Sequence, residues 1–205
     1  MPRSRYMPPL GNPAAIIVSP QFCAPYSVGL TIVRKRILNS GVVTDVNGNT
    51  IFKIKGKCFS LRDRRTLLDA AGNPILTLQR KILTAHRRWR VYRGGSKDKK
   101  DLLFSVKKSS LFQCKRKLDV FLAANTKEDF CDFKIKGSWS ERSCTIYLGD
   151  TSTIIAQMHK KFIVQGLVLG KDNIAVTVFP NVDYAFIVAL VVLLEEINNE
   201  DAKGG

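Results

Sequence analysis

The chain is poor in the residues from which catalytic and metal sites are usually built. It has two histidines in 205 residues, His86 and His159, and neither stands near a cysteine pair. Its five cysteines, Cys23, Cys58, Cys114, Cys131 and Cys144, are odd in number, widely spaced and without a C-x-x-C. That pattern supports neither a disulfide framework nor a zinc site. It fits buried free thiols in a reducing compartment. No H-E-x-x-H, G-x-S-x-G or phosphate-cradling glycine loop occurs. The expectation is a protein that is not an enzyme and holds no cofactor or metal. A constellation assembled from distant residues is invisible to spacing alone.

Long apolar runs are also missing. The longest, Ala185 to Leu194, has half the roughly 20 residues a membrane span needs, and Asp183, Glu195 and Glu196 bracket it. No transmembrane span is expected. The one apolar run of the N-terminus, Ala14 to Val18, is shorter than a signal-peptide core. An intracellular setting follows. Residues 1–25 carry Pro2, Pro8, Pro9, Pro13, Pro20 and Pro25 and read as an extended arm, since proline fixes φ and removes a donor.

Acidic residues are scarce: 17 Asp and Glu face 33 Lys and Arg, a formal charge of +16. A field of that size favours anionic partners, whether acidic lipid, nucleic acid or acidic protein. Hydrophobic residues make up 45 %, enough for a core and too many for a disordered chain.

What remains is mostly strand. From Val28 to Val178, short β-type runs alternate with turn chemistry. In Thr50 to Lys55, Phe52 and Ile54 share one face while Lys53 and Lys55 take the other. Ile75 to Arg80, Leu103 to Lys107, Val120 to Leu122, Asp132 to Lys136, Cys144 to Leu148 and Ile174 to Phe179 also read as strands. Asn47-Gly48, Gly72-Asn73-Pro74, Gly94-Gly95 and Gly149-Asp150 supply turns. The pentapeptide Phe52-Lys-Ile-Lys-Gly56 recurs as Phe133-Lys-Ile-Lys-Gly137, and Asp69 and Asp150 keep the same offset. Two similar antiparallel meanders are the simplest account, and chance similarity between meanders is the plain alternative outside the identical pentapeptide.

The closing element is a helix over about 181–198, capped by Asn181 or Asp183. Tyr184, Phe186, Ile187, Leu190, Val191 and Leu194 lie on its several faces, all apolar. A helix apolar all round must be buried all round. Strands are what the chain offers to surround it, and only a closed barrel wider than eight strands has room. About a dozen short strands suit that width. The expected organisation is an arm over 1–25, one domain over 26–200 that includes the helix, and a polar tail over 201–205.

Several motifs carry a resemblance to a known family. They are Val43 to Asn49, Leu61 to Arg65, Leu68 to Pro74, His86 to Tyr92, Lys136 to Trp139 and Val182 to Leu190. Together they resemble the plant LURP-one-related family over nearly the whole chain. That family is similar in fold to the tubby C-terminal domain and the phospholipid scramblases. The resemblance implies a twelve-stranded closed antiparallel β-barrel around a central hydrophobic C-terminal helix. It also implies a defence-related plant protein and, through the tubby-like domains, phosphoinositide binding. The chain departs from the family pattern at Phe179-Pro-Asn-Val-Asp183, where Gln and Gly usually flank the proline, and at Asn173-Ile174, where Thr-Tyr is usual.

Basic residues are the candidate site. Lys53, Lys55 and Lys57 form a period-two row, and Lys134 and Lys136 repeat it. Arg87, Arg88 and Arg90 surround Trp89, which alternation turns inward between two outward arginines. Arg62, Arg64 and Arg65 fall on an expected turn. Arg80, Lys81, Lys107, Lys108, Lys115, Arg116 and Lys117 extend the field. The functional reading is a site for a phosphoinositide or other acidic phospholipid headgroup, at about 1 kcal/mol per lysine near an anionic leaflet. The plain alternative is that outward lysines only solubilise a barrel. A nucleic-acid-associated or membrane-tethered transcription regulator would use the same charge on phosphates. A scramblase-like membrane protein would need the helix outside the barrel. Cytoplasm, the plasma-membrane periphery and the nucleus are the expected locations. Asp45-x-Asn-Gly-Asn49 opens like a calcium loop but lacks its later glycine and glutamate, so turn amides are the expected partners of Asp45.

Overall fold

The computed structural model describes residues 15–35, 40–56, 64–81, 88–109, 116–138, 143–160 and 173–203. The strands are β1 (Val28–Lys35), β2 (Ser40–Thr44), β3 (Thr50–Gly56), β4 (Arg64–Asp69), β5 (Pro74–Lys81), β6 (Arg88–Arg93), β7 (Leu102–Lys108), β8 (Arg116–Leu122), β9 (Phe133–Ser138), β10 (Ser143–Leu148), β11 (Ile154–Lys160) and β12 (Asn173–Val178). Each pairs antiparallel with its neighbours in sequence. β12 then returns to β1, with Val28 opposite Val178, and the barrel closes. The helix α1 (Tyr184–Lys203) follows.

Strand direction alternates, so the turns fall at two ends. The turn that starts α1 lies at one end with the β2–β3, β4–β5, β6–β7, β8–β9 and β10–β11 connections; this is the upper end. The C-terminus of α1 points to the lower end. Alternation along each strand puts Phe52, Ile54, Leu76, Leu78, Trp89, Val91, Phe104 and Val106 inside, each at most 1 % exposed. From Ala185 to Leu194 no helical side chain exceeds 3 % exposure. Phe186 packs edge-on against Phe104 at 5.0 Å and lies tilted against Phe133 at 4.8 Å. Tyr184 meets Phe22 and Phe52 at the upper end. At about 1.5–3 kcal/mol per buried large apolar side chain, the helix is a principal part of the core. Phe186 and Leu190 are fully buried, so the scramblase-like alternative loses the exposed helix it requires. Among the described residues no helix is long and apolar enough to cross a membrane.

The helix begins later than the sequence suggests, because Asp183 is its cap and Asn181 belongs to the preceding turn at φ 62. One carboxylate oxygen of Asp183 accepts from the amides of Ala185 at 3.0 Å and Phe186 at 3.1 Å. The other accepts from Ile17, Val18 and Ser19. The segment from Ala15 is thus tied across the upper end, with Val18 and Phe22 buried beneath it.

The helix also ends later, at Lys203, because Glu195 and Glu196 do not mark a return to solvent. Both are buried, facing Arg34 of β1 and Arg65 of β4. Arg65 donates to Glu196 through Nε at 2.9 Å and a terminal nitrogen at 2.7 Å. Arg34 donates to Glu196 at 2.8 Å, and its Nε stands 3.0 Å from Glu195. This corrects the placement of Arg64 and Arg65 on a turn: both lie in β4, and Arg65 points inward. Two glutamates inside a barrel require cations from the wall. Arg62 lies outside the described residues.

Candidate functional site

The two lysine rows do not converge. Lys53 and Lys55 lie on β3, and Lys134 and Lys136 on β9, six places apart in a ring of twelve strands. They stand on opposite walls. Arg88 and Arg90 are on β6, midway between them. Lys57 and Arg87 lie outside the described residues.

Much of the basic field is engaged within the fold. Lys53 donates to the Ala70 carbonyl at 2.7 Å. Lys134 is paired with Asp150 and lies 3.8 Å from Asp119. Arg88 makes a two-pronged contact with Glu128, at 2.5 and 2.6 Å, and Lys107 adds a third at 3.2 Å. Lys107 also sits 4.4 Å from the Phe121 ring centre, and Lys136 sits 5.0 Å from that of Tyr147. The Arg88 guanidinium holds the Glu128 carboxyl below its ordinary range. Trp89 between Arg88 and Arg90 is fully buried and offers no face for stacking.

Other cations are unspent. Lys55, Lys81 and Lys117 are exposed and, among the described residues, have no internal partner. All three belong to strand ends at the lower end. Register also sets like charges side by side there. Lys117 lies directly opposite Lys136, and Lys81 opposite Arg88. Directly opposed like charges disfavour a sheet. The upper end differs: Asp45, Asp69, Asp98, Asp101, Asp129, Asp132 and Asp150 lie in or beside its turns.

The acids of the upper turns mostly serve the turns themselves. Asp45 accepts from the amides of Asn47 and Asn49 and from the Asn49 side chain. Asp69 repeats the arrangement with Gly72 and Asn73. The calcium-like spacing at Asp45 is therefore a turn, held by the amides expected of it. A cleft of about 520 Å³ also opens at this end, lined by Cys23, Tyr26, Val46 and Tyr184 among others. Burial raises the Cys23 thiol and the Tyr184 phenol, which keeps both protonated at neutral pH and poor nucleophiles.

Two constellations escaped the sequence reading: the buried Arg34, Arg65, Glu195 and Glu196 cluster, and the Glu128 clasp on Arg88. The first had a signal, since two acids directly after a fully apolar helical run demand partners wherever that helix is enclosed. The second had none, because Glu128 reaches β6 through a loop whose path only the fold sets.

The match with known proteins fits this geometry. Residues 28–195 match the family described as LURP-one-related. The chain belongs to the LURP-one-related family. Two relatives from Arabidopsis thaliana, LURP-one-related 15 and LURP-one-related 10, are each 54 % identical to it. The alignments cover 94 % and 91 % of this chain, and 90 % and 98 % of theirs. Protein LURP1 of the same plant is 49 % identical over 89 % of each chain. A crystal structure of an Arabidopsis thaliana protein, 48 % identical, superposes with a TM-score of 0.72 over 90 % of this chain and 99 % of that one. The LURP-one-related barrel and its enclosed helix are therefore a shared fold.

Proposed function

We propose that this LURP-one-related chain is a non-enzymatic binding module that docks on phosphoinositide-containing membrane from within the cell. The observation that carries the reading is the surplus of +16, of which a part at Lys55, Lys81 and Lys117 is exposed and, among the described residues, unpaired. A rigid closed barrel can present such charge without ordering any new segment on binding, which limits the entropy lost. Each lysine near an anionic leaflet contributes about 1 kcal/mol, so a handful suffices for reversible attachment. The link to plant defence is part of the same proposal and rests on the family.

The test is co-sedimentation with vesicles across a salt series. Neutral vesicles, phosphatidylserine vesicles and vesicles with phosphatidylinositol bisphosphate are compared. Binding is expected to be absent on the first, present on the second and strongest on the third, and to weaken as salt rises. No binding to any vesicle at low salt overturns the proposal. Retention on duplex DNA in that same case would assign the charge to nucleic acid.

A further inference from the structure

We infer that the lower end of the barrel, around Lys55, Lys81, Lys117 and Lys136, is the surface that seats on an anionic phospholipid bilayer, with the barrel axis upright and the upper end facing away. The inference rests on the membrane-docking reading and adds the face and the orientation.

Three observations carry it. The first is segregation of charge along the axis. Asp45, Asp69, Asp98, Asp101 and Asp150 lie in or beside the upper turns, while Glu195 and Glu196 are buried against Arg34 and Arg65, and Glu128 is taken up by Arg88 and Lys107. An anionic surface therefore attracts one end and is repelled by surface acids at the other. The second is the pairing of like charges. Register fixes Lys117 against Lys136; Lys81 likewise faces Arg88, whose charge Glu128 already offsets. Repulsion between neighbours in a sheet is relieved when anions approach them, so the free protein is unfavourably charged where the bound one would not be. The third is distribution. The four lysines lie on β3, β5, β8 and β9, half of the circumference, and do not line a single groove. Charges spread around a rim match a plane better than a linear polymer.

Distance makes the orientation testable. The helix has 20 residues and is about 30 Å long, so the two ends are separated by several Debye lengths of about 8 Å at physiological salt. Lysines at the upper end do not sense a bilayer under the lower one. The upper end supplies a matched control in Lys97, Lys99 and Lys100, all exposed.

The experiment compares the triple variants K55A/K81A/K117A and K97A/K99A/K100A with the parent chain, on vesicles containing phosphatidylserine and phosphatidylinositol bisphosphate. Both variants remove three charges. The lower-end variant is expected to lose about fivefold in affinity per lysine, on the order of 100-fold in all, and the upper-end variant less than about twofold. K55R/K81R/K117R should bind like the parent, which separates charge from fold. Equal losses in the two alanine variants, or a lower-end variant that binds as the parent does, overturn the orientation and leave membrane docking standing. A parent chain that binds no vesicle overturns docking itself, and the orientation with it.

Discussion

Asp183 shows how much one side chain can hold. Its two oxygens take five backbone amides, two from the first turn of α1 and three from the segment 17–19. It is fully buried, and the amides of Val18, Ala185 and Phe186 are buried with it, so these three find no water if the carboxylate is removed. Loss of a helix cap costs about 1 kcal/mol, and each buried donor left alone costs about 1–3 kcal/mol. Asp183→Ala should therefore destabilise the chain by at least about 3 kcal/mol, read from the urea midpoint, while Asp183→Asn should lose less because one oxygen remains. A capping residue at this place was legible from the residues ahead of the apolar run, but its second role was not. Segment 17–19 is more than 160 positions away, and only closure of the barrel brings it there. The lysine rows divide the same way. Alternation placed Phe52 and Ile54 inside and Lys53 outside. That Lys53 is occupied by the Ala70 carbonyl depends on how a neighbouring turn folds back.

At the scale of elements, α1 is fixed by apolar packing along its length and by ions at its end. Arg34 and Arg65 both bond Glu196, and each is at most 8 % exposed. Removing one partner of a buried ionic cluster leaves uncompensated charge, at about 3–5 kcal/mol. Glu196→Ala should cost that much in denaturant unfolding, and Arg65→Met with Glu196→Met together should cost less than Glu196→Ala alone. The opposite ranking would show that the cluster is not one coupled unit. The apolar faces of α1 told of its burial; the length of the enclosure, which swallows Glu195 and Glu196 too, was not written in hydropathy. The loop between β8 and β9 is held differently, by Glu128 on Arg88 and Lys107 at the wall. Hydrogen bonding to Arg88 depresses the Glu128 pKa below its ordinary 4.5. A depressed carboxylate stabilises above the ordinary value, and that contribution fades as pH falls through the lower, folded one. Protection of the amides in residues 123–132, measured against their intrinsic exchange rates, should thus be high at neutral pH and fall below about pH 4.5. Glu128→Gln should show the reduced protection already at pH 7. A loop equally protected in that variant would mean that the clasp does not hold it.

At the scale of the whole molecule, the repeated pentapeptide has a consequence that neither copy shows alone. Phe52-Lys-Ile-Lys-Gly56 and Phe133-Lys-Ile-Lys-Gly137 occupy β3 and β9, on opposite sides of the ring. A motif that looks like a doubled binding row is instead a pair of distant, equivalent walls. The barrel itself was legible, because a helix apolar on every face needs strands all round it. Position around the circumference was not, since it depends on strand order and closure. Closure also governs how the chain comes into being. β1 is the first strand made and its free edge is satisfied by β12, the last, while the space within is filled only by the helix that follows. A growing polypeptide must therefore carry up to eleven strands with an open border and a hollow, greasy interior until β12 and α1 have been translated. Such long-range assembly is slow, and exposed borders invite pairing with other chains. Shortening α1 should therefore harm the yield of soluble protein far more than altering any surface lysine.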